Sequence, residues 1–138
     1  GVVSIFVDKL LGNKEPIIFG DGEQTRDFIY VKDIAEANIL ALHKGDNELM
    51  NISSNKATTV NELFMIMRNM AGSKVDAIHK DVRAGDIEDS YLDNRRAKAK
   101  LNWKPKYDLE TGIGETIAYY MQVYDAEKEV AVGVDYEN

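Results

Sequence analysis

Apolar residues recur at helical spacing from the start of the chain, with Val3, Phe6, Val7, Leu10 and Leu11 on one face, and this spacing predicts a first helix. No convincing capping residue precedes it, so the chain looks like a piece cut from a longer one. "PIIFG" then predicts a short strand from Ile17 to Phe19, a Gly-Asp-Gly turn, and a second strand opening at Arg26, the two paired as a hairpin. Side chains on a strand alternate, which places Arg26, Phe28 and Tyr30 on one face and Asp27, Ile29 and Val31 on the other. "VKDIAEANILALHKGDN" predicts an Ala- and Leu-rich helix stopped near Gly45, apolar on enough sides to be largely buried. "ELMNIS" reads as a short strand. Thr59 and Glu62 form a capping-box pattern, and Val60, Leu63, Phe64, Met67 and Met70 follow at helical spacing until Gly72.

The second half is less regular. "KVDAIHKD" predicts a strand, followed by a glycine-containing loop, an extended piece around Tyr91 and a short helix from Asp93 that ends before Trp103 and Pro105. A last helix is expected from about Leu109, with Ile113, Ile117, Tyr120, Met121 and Tyr124 on one stripe. Residues 126–138 read as an acidic tail that frays. The expected fold is a small mixed α/β domain, residues 1–125, of short strands and about five helices. It has too few strands for a full doubly wound sheet, and no repeat or linker.

Composition narrows the function classes. With 138 residues, 44% of them hydrophobic and 30% charged, the chain is a single soluble domain that buries roughly two-thirds of its unfolded surface. A net charge of -7 argues against coating nucleic acid or anionic lipid, although a local group of cations can still hold one small anion. No apolar run reaches the roughly 20 residues that span a bilayer, and the start lacks the basic residues of a signal peptide. The absence of cysteine excludes disulfides and thiolate chemistry and fits a cytoplasmic protein. His43 and His79 stand alone, so metal chemistry has no support.

The glycines at positions 20 and 22 precede a strand rather than a helix, so a dinucleotide-binding turn is not encoded here. Taken singly, Arg26 reads as a solvated strand end, Arg83 as a solvated loop charge, Asp86 as a turn cap and Asp33 as a helix-start residue near the N-terminal dipole. "DNRRAKAK" is a solvated helix face. "YDAEK", from Tyr124 to Lys128, spells Tyr-x-x-x-Lys on a helix, but it lies at the wrong end of the chain for an acid/base pair, so Tyr124 is expected to face the core and Lys128 the solvent.

Three stretches in order, "IIFGDGEQTRDFIYVKDIAEANILAL", "MNISSNKATTVNEL" and "VRAGDIEDSYLDNRRAKAKLNWKPKYDLETGIGETIAYY", together resemble the C-terminal half of the extended short-chain dehydrogenases/reductases. More narrowly, they are similar to NAD-dependent nucleotide-sugar epimerases and dehydratases of the UDP-glucose 4-epimerase kind. The resemblance covers the chain to about Tyr124. It implies a domain that binds the nucleotide diphosphate of a UDP-sugar, detached from an N-terminal Rossmann domain that holds NAD and the catalytic Ser/Thr and Tyr-x-x-x-Lys set. The full-length enzyme would be a homodimer that moves a hydride from sugar C4 to NAD and back to the other face. The fragment alone would bind no NAD, carry no catalytic residue and be inactive.

Carried over by match, Arg26 and Arg83 contact the diphosphate, Asp86 lies near the ribose or diphosphate end, and Phe19 with Ile17 and Ile18 lies beside the base. Phe28 takes a place often filled by tyrosine, and Ser90 another. The chemistry agrees, since a planar guanidinium matches the paired oxygens of a diphosphate where lysine offers a point charge. A dehydratase or decarboxylase sharing the first step is the near alternative, and a stand-alone binding module that keeps the fold is the distant one.

Overall fold

The structure is a computed structural model that describes the backbone of residues 1–133 and the side chains of residues 1–125. In chain order the elements are α1 (Val2–Leu11), β1 (Ile17–Phe19), β2 (Thr25–Arg26), α2 (Val31–Ala41), β3 (Thr58–Thr59), α3 (Val60–Met70), β4 (Ile78–Lys80), β5 (Asp89–Ser90), α4 (Arg95–Leu101) and α5 (Leu109–Gly133). The described residues form the small mixed α/β domain of five helices and short strands expected from the sequence.

The main core lies where α1, α3 and α5 close on β1. Phe6, Val7, Leu10, Ile18, Leu63, Phe64, Met67, Ile113 and Ile117 are buried there, with Phe6 and Phe64 meeting edge to face at 5.7 Å. The Thr59 hydroxyl accepts the Glu62 backbone N–H at 3.0 Å and so fixes the start of α3 as the capping pattern requires. A second core gathers Ala37, Ala97, Leu101 and Trp103.

The expected hairpin does not form. β1 pairs in parallel with β4 (Ile17 opposite Ile78), whereas β2 sits in a separate sheet of order β3-β2-β5. The turn between β1 and β2 sends its carbonyls to the start of α3, where Asn61 N–H donates to Gly22 O and Val60 N–H to Gln24 O. Those bonds hold the two strands in different sheets. β2 also ends sooner than alternation suggests, because the Asp27 carboxylate accepts the backbone N–H groups of Ser54 and Asn55 and draws the chain out of the ladder.

Three further expectations change. The "ELMNIS" segment has no strand partner among the described residues, and Met50 and Ile52 pack instead on the second core. In α2 only Asp33 and Ala37 are buried, while Val31, Ile39 and Leu42 are exposed at 66%, 62% and 76%. That helix touches the domain along one narrow side, so its other apolar face remains open. Finally, α5 continues to Gly133, where the sequence reading begins a tail at 126, and the Ala, Glu and Lys residues of "DAEKEVAV" are good helix formers. Residues 134–138 lie outside the described part. Among the described residues no helix is long and apolar enough to cross a membrane.

Candidate functional site

A groove of about 410 Å³ opens between α1, the end of β1, the end of β2 and the loop after β4. Ile17, Ile18, Phe19, Arg26, Arg83 and Asp86, singled out separately in the sequence, all line it. β1 supplies its floor: Ile18 is buried in the core, and alternation turns Ile17 and Phe19 the other way. The Arg83 guanidinium lies over the Phe19 ring, 3.6 Å from its centroid. Arg83 and Asp86 bracket a tight turn in which Asp86 N–H donates to Arg83 O at 3.2 Å and Gly85 takes a φ of 88°.

Arg26 approaches from the other sheet. Its half-buried guanidinium donates from Nη1 to Thr25 O at 2.6 Å and to Glu88 O at 3.4 Å. The strand beneath is held by Thr25 N–H on Glu88 O and by the pairing of Arg26 with Ser90. An arginine at the mouth of this strand therefore stands at a groove wall. Lys9, on the last turn of α1, and Gln24 line the same groove and were missed in the sequence. Lys9 carried a readable signal, because it follows Ile5 at i+4, and both residues face the groove. The site thus concentrates Lys9, Arg26 and Arg83 against the single carboxylate of Asp86, in a chain whose net charge is -7.

Phe28 does not join them. With β2 ended at Arg26, it packs on the main core and lines a separate cavity of about 360 Å³ beside Tyr30 and Tyr107. At that cavity's rim the Glu115 carboxylate accepts from Tyr30 Oη at 2.8 Å and Lys32 Nζ at 2.5 Å. The Lys32 ammonium, and then the Tyr30 hydroxyl, hold Glu115 below the usual carboxyl range. The bond to Glu115 raises Tyr30 and Lys32 in turn. These contacts tie the start of α2 to α5.

Asp33 is likewise structural, and more deeply than a helix-start residue. It is fully buried, its carboxylate accepts Lys106 N–H at 2.8 Å and Tyr107 N–H at 3.2 Å, and its carbonyl accepts Trp103 Nε1 at 3.0 Å. Tyr124 is half-buried, with its hydroxyl beside Gly12 of the α1 C-terminus. The Lys128 side chain lies outside the described residues.

Among the described residues the glycine turn at 20–22 leads into β2 and not into a helix, so no strand, glycine turn and helix N-terminus are aligned to cradle a dinucleotide pyrophosphate.

Residues 2–116 match the family model described as GDP-mannose 4,6 dehydratase. A Methanocaldococcus jannaschii protein with the provisional name UDP-glucose 4-epimerase is 50% identical over 117 residues, which is 85% of this chain and 38% of that protein. The crystal structure of Thermotoga maritima UDP-glucose 4-epimerase with UDP-glucose superposes with a TM-score of 0.88 at 44% identity, covering 90% of this chain and 40% of that one. A Thermus thermophilus UDP-glucose 4-epimerase in complex with NAD gives a TM-score of 0.80 at 30% identity, covering 87% and 40%. The chain spans about 40% of the length of the relatives it matches.

Proposed function

The chain belongs to the GDP-mannose 4,6 dehydratase family, among the extended short-chain dehydrogenases/reductases, and from that premise we propose that it is the UDP-sugar-binding part of a sugar-nucleotide 4-epimerase. One observation carries the reading: a single groove brings an arginine from β2 and an arginine from the loop after β4 together with an aromatic ring and an apolar strand end. Two guanidinium groups can clamp a diphosphate with parallel charge-assisted bonds, while Phe19 and Ile17 offer apolar surface to a flat neutral base, with Ile18 beneath them in the core. Asp86 supplies an acceptor for a ribose hydroxyl. Lys9 adds a third positive charge to a site that receives an anion.

The epimerase branch is supported by the names of the similar proteins. In this reading the described residues bind and orient the sugar nucleotide, and binding energy from diphosphate and base holds the sugar in place for chemistry done elsewhere. NAD supplies a hydride acceptor in such enzymes, and it would be held by residues other than those described. The open apolar face of α2, with Val31, Ile39 and Leu42 exposed, suits a covering Rossmann domain, and the greater part of the relatives' length lies outside the match.

The test is turnover by the protein at its full natural length with NAD and UDP-glucose. Formation of UDP-galactose supports the reading. Loss of water to a 4-keto-6-deoxy sugar assigns a dehydratase instead, and UDP binding without turnover assigns a binding module.

A further inference from the structure

Phe19 and Arg26 line one groove but belong to strands of different sheets, so their spacing is not set by a common ladder. The chain between them is the turn from Gly20 to Gln24, and it is pinned to α3. Gly22 is buried at a φ of +81°, and a Cβ there would stand 2.0 Å from Asn61 Oδ1. Asn61 Nδ2 donates to Asp21 O at 2.8 Å and to Glu23 Oε1 at 2.7 Å. Asn61 N–H reaches Gly22 O at 3.0 Å, and Val60 N–H reaches Gln24 O at 3.2 Å.

From that fixed point the Gln24 side chain turns back, and its Nε2 donates to Phe19 O at 2.9 Å. One amide thus bridges the start of the Arg26 strand to the end of the Phe19 strand. Arg83, stacked on the Phe19 ring, belongs to the same half of the groove as Phe19.

We propose that Gln24 is a positioning residue that sets the spacing between the Phe19–Arg83 half and the Arg26 half of the groove, and so the separation of the two guanidinium groups that clamp the diphosphate. The inference rests on the reading that this groove holds a nucleoside diphosphate. A ligand that touches both halves gains from having them already at the right separation, because otherwise binding must order them at its own expense. A ligand that touches one half is indifferent to the other. Removing the Nε2 donor frees the Phe19 carbonyl and lets the separation vary.

Gln24→Met keeps the length and bulk of the side chain without the donor, and Gln24→Leu is a second form of the same change. UDP, uridine and inorganic pyrophosphate are each titrated by calorimetry against the protein at its full natural length, with unfolding midpoints followed in parallel. UDP and pyrophosphate, which both reach Arg26 and Arg83, should lose about three- to tenfold in affinity, the scale of one lost hydrogen bond, while uridine, held by the Phe19 half alone, changes less than about twofold. In an Arg26→Ala background the effect of Gln24→Met on UDP should vanish, since the ligand then engages one half. Equal losses for all three ligands, no loss for UDP, or loss of the folded state in both variants overturns the role given to Gln24. Failure of the unsubstituted protein to bind UDP overturns the underlying reading instead.

Discussion

The guanidinium carbon of Arg83 lies 3.6 Å from the centroid of the Phe19 ring, which makes Phe19 the platform for one of the groove's cations. A guanidinium stacked this way keeps its N–H donors in its own plane, free at the edge, while the ring restrains the long side chain. Phe19→Leu retains apolar bulk but removes the π face. It should weaken UDP binding about three- to tenfold, in keeping with a cation–π contact of 0.5–1 kcal/mol or somewhat more. Arg83→Ala should cost more, about ten- to a hundredfold, because charge-assisted bonds to the diphosphate go as well. Titration calorimetry with UDP checks both, and an unchanged affinity in Phe19→Leu would mean that the stack does not orient Arg83.

Asp33 is a test of the fold rather than of the site. Its buried carboxylate accepts the Lys106 and Tyr107 N–H groups. Asp33→Ala leaves both donors without their acceptor, at an expected cost of about 2–4 kcal/mol. Urea unfolding measures this as a lowered midpoint at unchanged slope. A loss below about 0.5 kcal/mol, the level of an ordinary surface change, would contradict the assignment.

The Lys32–Glu115–Tyr30 tie makes stability depend on pH at its two limits. Glu115 is held below its ordinary value of 4.5, so its contribution is complete above that value and is lost as pH falls through the lowered folded value. Lys32 is raised above 10.5, so its share is complete below that value and is lost as pH rises through the folded value. Glu115→Gln should therefore unfold at a lower temperature than the unsubstituted protein by a constant interval around neutral pH, an interval that closes in acid. Melting curves taken from about pH 3 to pH 8 record it, and an interval independent of pH throughout would show that Glu115 does not act through its charge.

The sequence disclosed much of this molecule. Helices α1, α3 and α5 were legible because their apolar residues keep a 3.6 period and α3 carries its cap in Thr59. The groove residues Ile17, Ile18, Phe19, Arg26, Arg83 and Asp86 came from the family resemblance, and the structure brings them together although positions 26 and 83 lie far apart in the chain. The errors share a cause in long-range partners. A Gly-Asp-Gly turn signals a hairpin locally, but Asn61, distant in sequence, takes its hydrogen bonds. Alternation through Phe28 was sound only while β2 continued, and the Ser54 and Asn55 amides bound to Asp27 ended it. The burial of Asp33 was hidden because an aspartate near a helix start has an adequate local explanation. Gln24 left no sequence signal, since its role depends on two sheets meeting.

The measurement that bears most directly on the account is calorimetric titration of UDP and of uridine against the protein at its full natural length and its Arg26→Ala and Arg26→Lys variants. Charge-assisted bonds to a diphosphate are each worth roughly 1.5–3 kcal/mol, so Arg26→Ala should weaken UDP about ten- to a hundredfold. Arg26→Lys should recover part of that, because the charge returns without the two-pronged geometry, and uridine should respond little to either change. Equal losses for UDP and uridine would make Arg26 a support of the fold, and an unaltered UDP affinity in Arg26→Ala would contradict the diphosphate clamp outright.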